Sequence, residues 1–280
     1  MRWQGRRESS NVEDRRGISS KGIVGGGLGT IIIALIIYFL GGDPTSLLQN
    51  SQQSDQAANT SYVESAEDKE LASFVSVVLA ETEDIWNEIM NGQGSSYREP
   101  KLVLFSGSVS SACGSAGSST GPFYCSRDEK VYIDLSFFSE LQQRFGAPGD
   151  FAMAYVIAHE VGHHIQKLTG TLDKIHQLRS RLSEEEYNKY SVRLELQADF
   201  YAGVWAHFTQ KKELLESGDL DEALNAASAV GDDRIQKQAQ GYIVPESFTH
   251  GTSEQRRNWF YKGFKTGDFA QGNTFEDLDL

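Results

Sequence analysis

The sequence predicts a mainly helical α+β protein in which a single N-terminal transmembrane helix leads into one catalytic-sized domain. Three observations carry this expectation. Residues 22–42 hold no charge, most stretches beyond them repeat apolar residues at helical spacing, and only two short runs are β-prone. With 280 residues the chain is long enough for one well-buried domain plus appendages. Its hydrophobic fraction of 39% supplies a packed core and excludes wholesale disorder.

The formal charge of −13 is unevenly spread. Residues 1–21 carry six Lys/Arg (Arg2, Arg6, Arg7, Arg15, Arg16 and Lys21) against three Asp/Glu, and form a basic tip. The acidic remainder is repelled by phosphate backbones, which excludes nucleic acid as a partner of the main domain. In residues 22–42 the centre, Thr30 to Leu40, is almost wholly apolar and long enough for a membrane span. Basic residues before it and Asp43 after it place the N-terminus in the cytoplasm by the positive-inside rule, and the catalytic domain outside. Gly22, Gly25, Gly26 and Gly29 add small-residue spacings through which two such helices could form a homodimer. Residues 43–65, rich in Ser, Gln, Asn and Asp, read as a flexible tether to a domain spanning 66–280. In an oxidising compartment Cys113 and Cys125 are expected to form a disulfide.

Within the domain, apolar residues at helical spacing predict a long helix over 67–90, stopped at Asn91-Gly92. Residues 101–105 and 130–135 are the β-prone runs, with a Gly/Ser loop carrying both cysteines between them. Residues 137–145 look helical, and Pro148-Gly149-Asp150 opens the next helix. Ser183 with Glu186 fits a capping box for a helix reaching about His207, and a further helical stretch covers 220–240.

The helix after Asp150 carries His159-Glu160-Val161-Gly162-His163. Residues four apart on a helix are offset by about 40°, so both histidines project from one face and can grip one ion. Glu160 is turned aside, where it can take a proton from water without ligating the metal. Zinc chemistry needs that arrangement: imidazole ligands, an open position and a nearby carboxylate. Three of the six histidines fall within six residues, which argues against a chance surface pair. His164 is one step off the ligating face and reads as a supporting residue, while His176 and His207 read as packing or surface positions. A third ligand is still required. Glu195 and Asp199, four apart on an otherwise apolar helix, both qualify, because a buried carboxylate is costly unless paired or on a metal.

His159-Glu-Val-Gly-His-His164, Glu195-Leu-Gln-Ala-Asp199, the first seventeen residues, the Gly121–Cys125 turn and Gly251–Arg256 together resemble the predicted neutral zinc metallopeptidases of bacteria, almost end to end. More distantly, the constellation is similar to membrane-associated gluzincin peptidases. That resemblance implies a zincin-like fold and peptide-bond hydrolysis with one zinc ion. It gives Glu195 as third ligand, Asp199 as the partner orienting a ligand histidine, and His250, six residues before Arg256, as the contact to the substrate carbonyl. The strand near 131–135 is then expected to line the cleft and pair with an extended protein or peptide substrate. The sequence leaves two rivals: a membrane-tethered zinc scaffold that does not cleave, and a zinc hydrolase of a non-peptide bond. Glu160 beside the ligands speaks against the scaffold, since a structural site closes with four protein ligands.

Overall fold

The computed structural model describes residues 1–17 and 64–276. A 27-residue helix, α1 (Ala66–Gly92), begins with Ser65 and Asp68 in a reciprocal capping box. A four-stranded sheet follows the order β1 (Val12–Asp14), β2 (Lys101–Phe105), β6 (Lys130–Asp134), β5 (Phe123–Cys125). β1, β2 and β6 are parallel, with Leu102 opposite both Val12 and Val131, whereas β5 runs antiparallel to β6. A hairpin of β3 (Ser108–Ser111) and β4 (Gly114–Gly117) stands apart.

The alternation of β2 and β6 divides two cores. Leu102, Leu104, Val131 and Ile133 face the main core, while Val103, Phe105 and Tyr132 face a small cluster with Val109 of the hairpin and Cys125. Both faces are covered, so both strands are apolar nearly throughout.

Helices α2 (Ser136–Gln143), α3 (Asp150–Leu168), α4 (Thr171–Leu178), α5 (Glu184–Lys211), α6 (Asp219–Ala229), α7 (Asp232–Gln240) and α8 (Ser253–Thr266) complete the domain. α5 crosses α8 closely enough that a Cβ on Gly203 would lie 2.0 Å from the Phe260 carbonyl oxygen, and one on Gly263 would lie 2.1 Å from that of Phe200. The single helical stretch expected over 220–240 is instead two helices. The break falls at Gly231, where a Cβ would lie 2.3 Å from the Ser253 backbone nitrogen, so the chain turns there to let α8 begin.

The mainly helical α+β class stands, but the membrane reading does not. Among the described residues no helix is long and apolar enough to cross a membrane. The run 22–42, its glycines and most of the tether lie outside the described residues. The single-pass topology fails on the other side of that run. Residues 1–16 of the 1–21 stretch read as a cytoplasmic tip are built into the same domain as α1 and α3. The Met1 ammonium meets Asp150 at 2.9 Å and Asp219 at 3.1 Å, and β1 pairs in register with β2. The basic residues that invited a positive-inside reading are ion-pair partners: Arg6 with Glu81 at 2.7 Å, Arg7 with Glu83 at 3.1 Å, and Arg16 with Glu64 at 2.8 Å. A segment that shares a sheet and buried ion pairs with a domain cannot lie across a bilayer from it. The cytoplasmic N-terminus facing an extracytoplasmic domain is therefore withdrawn.

Candidate metal centre

α3 is buried around most of its circumference, as the core helix of the domain. His159 and His163 sit one turn apart on it with ring centroids 4.9 Å from each other. Gly162 explains how a second helix comes so near. A Cβ there would lie 2.9 Å from the Ala198 carbonyl oxygen, so glycine lets α5 press against α3 beside the histidines. On α5 the four-residue spacing of Tyr187, Ser191, Glu195 and Asp199 forms one stripe, and Glu195 and Asp199 arrive at the two imidazoles.

One ligand atom each from His159, His163 and Glu195 lies within 4.8 Å of the others. His159 Nε2 is 3.1 Å from one Glu195 oxygen and His163 Nε2 is 3.4 Å from the other. The opposite ring nitrogens are held from behind. His159 Nδ1 meets Asp199 Oδ1 at 2.8 Å and His163 Nδ1 meets Gln166 Oε1 at 2.9 Å. Gln166 cannot be flipped, because its Nε2 donates to the Leu194 carbonyl at 2.6 Å and to Gln197 Oε1. Its oxygen must therefore face His163, whose Nδ1 must carry the hydrogen. Both histidines thus point Nε2 at one spot, with their tautomers fixed by outer partners.

Asp199, fully buried, is the hub of that outer shell. Besides His159 it accepts from the Tyr155 hydroxyl at 2.5 Å and from Arg256 Nε and Nη2 at 2.8 and 3.0 Å. Burial would raise its pKa, but the charges of Arg256 and His159 lower it overall. Burial would likewise lower the His159 pKa. The Asp199 charge and the hydrogen bonds to Asp199 and Glu195 outweigh burial and raise it to about 10. The pocket is therefore built to hold positive charge, and a metal would take it by displacing the Nε2 protons. Glu160 is buried at the edge of the cleft, and burial pushes its pKa upward, toward the range useful to a base at neutral pH. Two histidines and a carboxylate with supported ring nitrogens suit zinc with an open position.

The centre opens into a cleft of about 460 Å³. His250 stands in its wall, on the loop before α8, with its side chain 50% exposed. Its Nδ1 lies 3.1 Å from Asp232 Oδ1, while Asp232 Oδ2 accepts the backbone N–H of Thr249, His250 and Gly251. Desolvation lowers the His250 pKa, but the hydrogen bond to Asp232 and the charge of Glu195 reverse the direction.

A family profile described as "Putative neutral zinc metallopeptidase" matches residues 1–275. The chain belongs to this family. Among its relatives, the uncharacterized protein YpfJ of Escherichia coli K12 is 51% identical over 285 residues, covering 98% of this chain and 99% of that protein. The uncharacterized protein Rv2575 of Mycobacterium tuberculosis is 44% identical over 207 residues, covering 70% of this chain and 68% of that protein. No solved structure matches. Membership implies zinc, and the donor set at His159, His163 and Glu195 fits it.

The residues singled out in the sequence converge on this place: His159, Glu160, His163, Glu195, His250 and Arg256 all line the cleft, with Asp199 directly behind. Cys113 and Cys125 lie elsewhere, joined as a disulfide between the hairpin and the end of β5. The expected cleft strand is corrected. Residues 131–135 are internal, between β2 and β5, and it is β5, at the sheet's edge, that lends Phe123 and Tyr124 to the cleft. His164 ties that strand to the metal helix. Its Nε2 donates to the Arg98 carbonyl at 2.6 Å, so its Nδ1 accepts from the Tyr124 hydroxyl at 2.9 Å. His176, read as a packing or surface residue, lies in the cleft lining as an exposed side chain.

Sequence reasoning missed Tyr155, Gln166 and Asp232. Two carried a signal: Tyr155 stands four residues before His159 and Gln166 three after His163, both polar-tipped side chains on a helix otherwise fit for burial. Asp232 carried none, since only tertiary folding brings it to His250.

Proposed function

We propose that this protein is a zinc-dependent endopeptidase, with the ion held by His159, His163 and Glu195 and with Glu160 as the general base. The observation that carries this reading is the convergence of two Nε2 atoms and one carboxylate, each histidine fixed from behind, beside a buried glutamate in an open cleft. When bound, zinc supplies a Lewis acid that polarises a carbonyl and makes water more acidic.

The chain's own residues supply the remainder. Asp199 and Gln166 hold the two imidazoles in register, so neither ring must reorient during turnover. Arg256 and Tyr155 hold Asp199 in turn, which keeps that carboxylate ionised and stationary. A carboxylate oxygen of Glu160 accepts the proton of the attacking water and delivers it to the leaving amide nitrogen as the C–N bond breaks. Asp232 engages Nδ1 of His250 and favours the protonated ring, whose Nε2–H is then free to donate to a substrate carbonyl oxygen as it gains charge.

Cleavage within chains, rather than at their ends, follows from the charges in the cleft lining. Its carboxylates are Glu160 and Glu195, both assigned at the metal, and its guanidinium, Arg256, is committed to Asp199. His250 gives one ring nitrogen to Asp232, and desolvation lowers the pKa of His176, which disfavours its charged form. Among the described residues of the lining, no carboxylate and no guanidinium is left to neutralise a terminal ammonium or carboxylate. The test is Glu160→Gln: zinc content should be retained while hydrolysis of unfolded protein substrates falls by about 10²-fold or more, because an amide cannot accept the proton. A variant that cleaves at the wild-type rate removes Glu160 from the mechanism.

A further inference from the structure

We infer that the cleft selects its substrates by a bulky apolar side chain next to the cleaved bond, seated against Leu172, Tyr187 and Leu194; this rests on the peptidase reading above. These three residues belong to a small apolar cluster of α4 and α5 that is separate from the main core. They are 6, 9 and 5% exposed, and all three line the cleft beside the metal centre. Leu194 is next to Glu195 in sequence, so this apolar surface begins at a proposed metal ligand. Val156, one turn before Glu160 on the same helix, Phe137 of α2 and Phe123 of β5 enlarge the apolar lining.

The polar groups at the centre have partners or roles already, Glu160 as the base and His250 Nε2 at the scissile carbonyl. Glu195 faces two imidazoles, Arg256 faces Asp199, and His250 faces Asp232. Among the described residues, the lining beyond them is aliphatic, aromatic or hydroxyl-bearing, apart from His176, and contains no lysine. A substrate aspartate or lysine seated there would lose water without gaining an oppositely charged partner, whereas a leucine or phenylalanine would gain by leaving water. The favoured substrate class is therefore polypeptide exposing apolar side chains along an extended stretch, which folded soluble proteins bury.

The experiment uses the full chain with Glu160→Gln, loaded with zinc, and fluorescein-labelled ten-residue peptides of Gly, Ser and Ala with one guest residue at the centre. Fluorescence anisotropy should give about 10- to 100-fold tighter binding for Leu or Phe guests than for Asp, Lys or Gly. Leu172→Ala in the same background should reduce that preference while zinc content is unchanged. Should Leu172→Ala fail to fold, the guest series on the unaltered wall still decides. Equal binding of all guests, or tighter binding of the charged ones, overturns the inference. Incubating the same peptides with the wild-type protein separates the two readings. Apolar-guest peptides that are bound selectively but never cut would sink the peptidase reading and leave the apolar selection standing. Efficient cutting beside charged guests would do the reverse.

Discussion

Replacing Asp199 by alanine, and separately Glu195 by alanine, distinguishes a carboxylate that holds the ligands from one that is a ligand. Asp199 is fully buried and gives Arg256, itself 3% exposed, its carboxylate partner through two hydrogen bonds. Without it the guanidinium keeps the Val230 carbonyl at 3.2 Å, a 3.2 Å contact to the Tyr155 hydroxyl, and a Glu195 carboxylate oxygen only at 4.0 Å, beyond hydrogen-bond reach. Leaving a buried charge without its hydrogen-bonded carboxylate costs up to about 3–5 kcal/mol. At about 2–4 °C per kcal/mol for a domain of this size, the metal-free protein should melt roughly 6–20 °C lower. Losing the partner of His159 Nδ1 should weaken zinc binding by about 10–100-fold. Glu195→Ala has the opposite profile. In the metal-free protein its carboxylate faces two imidazoles, which can release their protons when it is gone, so the melting point should move less. Zinc loss should then exceed that of Asp199→Ala, because a direct bond and a charge are both removed. Circular dichroism melts on chelator-treated protein and zinc analysis after dialysis against a buffered zinc solution read the two effects separately. If Asp199→Ala empties the site while Glu195→Ala stays loaded, the ligand assignment is reversed. If Asp199→Ala melts like wild type, the account of Arg256 as a dependent buried charge is refuted.

Three further predictions follow from separate parts of the molecule. Cys113 and Cys125 close a loop with a sequence separation of 12, for which chain entropy gives about 3 kcal/mol; the doubly Ser-substituted protein should unfold at correspondingly lower urea, and an unchanged midpoint would show that the bridge does not constrain the unfolded chain. Glu13 joins β1 to β6, and its hydrogen bond to Lys130, acting against partial burial and helped by Arg15, lowers its pKa from 4.5 to about 2. The folded pKa is the depressed one, so this stabilisation is complete above about pH 4.5 and fades as pH falls toward 2. A pKa depressed that far corresponds to a few kcal/mol at most, and solvent screening of a side chain 29% exposed brings the expectation to about 1–2 kcal/mol. Urea titrations should therefore show Glu13→Gln less stable than wild type at pH 6, with the gap closing near pH 2; a gap independent of pH would disprove the ion-pair account. Asp232→Ala should lower turnover by as much as about 10²-fold with zinc content intact, by releasing the His250 loop. Combined with His250→Ala the two losses should not add, and full additivity would separate Asp232 from His250.

The local signals in the sequence were sound where the physics is local. The four-residue spacing of His159 and His163 dictates a shared helix face, and an apolar sequence around them dictates a buried helix; both hold in α3. The capping box at Ser183 and Glu186 opens α5 as the hydrogen-bonding pattern requires. The strands flanking the cysteine loop were legible from their β-branched and apolar content, but the loop's own hairpin and β5 were not. Gly and Ser carry little strand preference, and β3 and β4 form by pairing with each other.

The N-terminal tip shows the limit of reading charge without contacts. Arg6, Arg7 and Arg16 carry the same charge whether they face a cytoplasm or a row of glutamates. Only the fold brings Glu81 and Glu83 of α1 to meet Arg6 and Arg7, and an ion pair between partners some 75 residues apart leaves no periodic trace in the sequence. The same holds at the centre. The sequence by itself determined the two histidines, the adjacent glutamate and the helix that presents them, because those depend on a pitch of 3.6 residues. Helical spacing left Glu195 and Asp199 equivalent, and beyond the family resemblance it is the tertiary structure that brings Glu195 to the two Nε2 atoms and sets Asp199 behind. It also set the tautomers through Gln166, the Asp232–His250 pair and the strand that borders the cleft. Each of these depends on how closely α3 and α5 approach at Gly162 and on where long connections return, which is fixed by packing and not by any run of neighbouring residues.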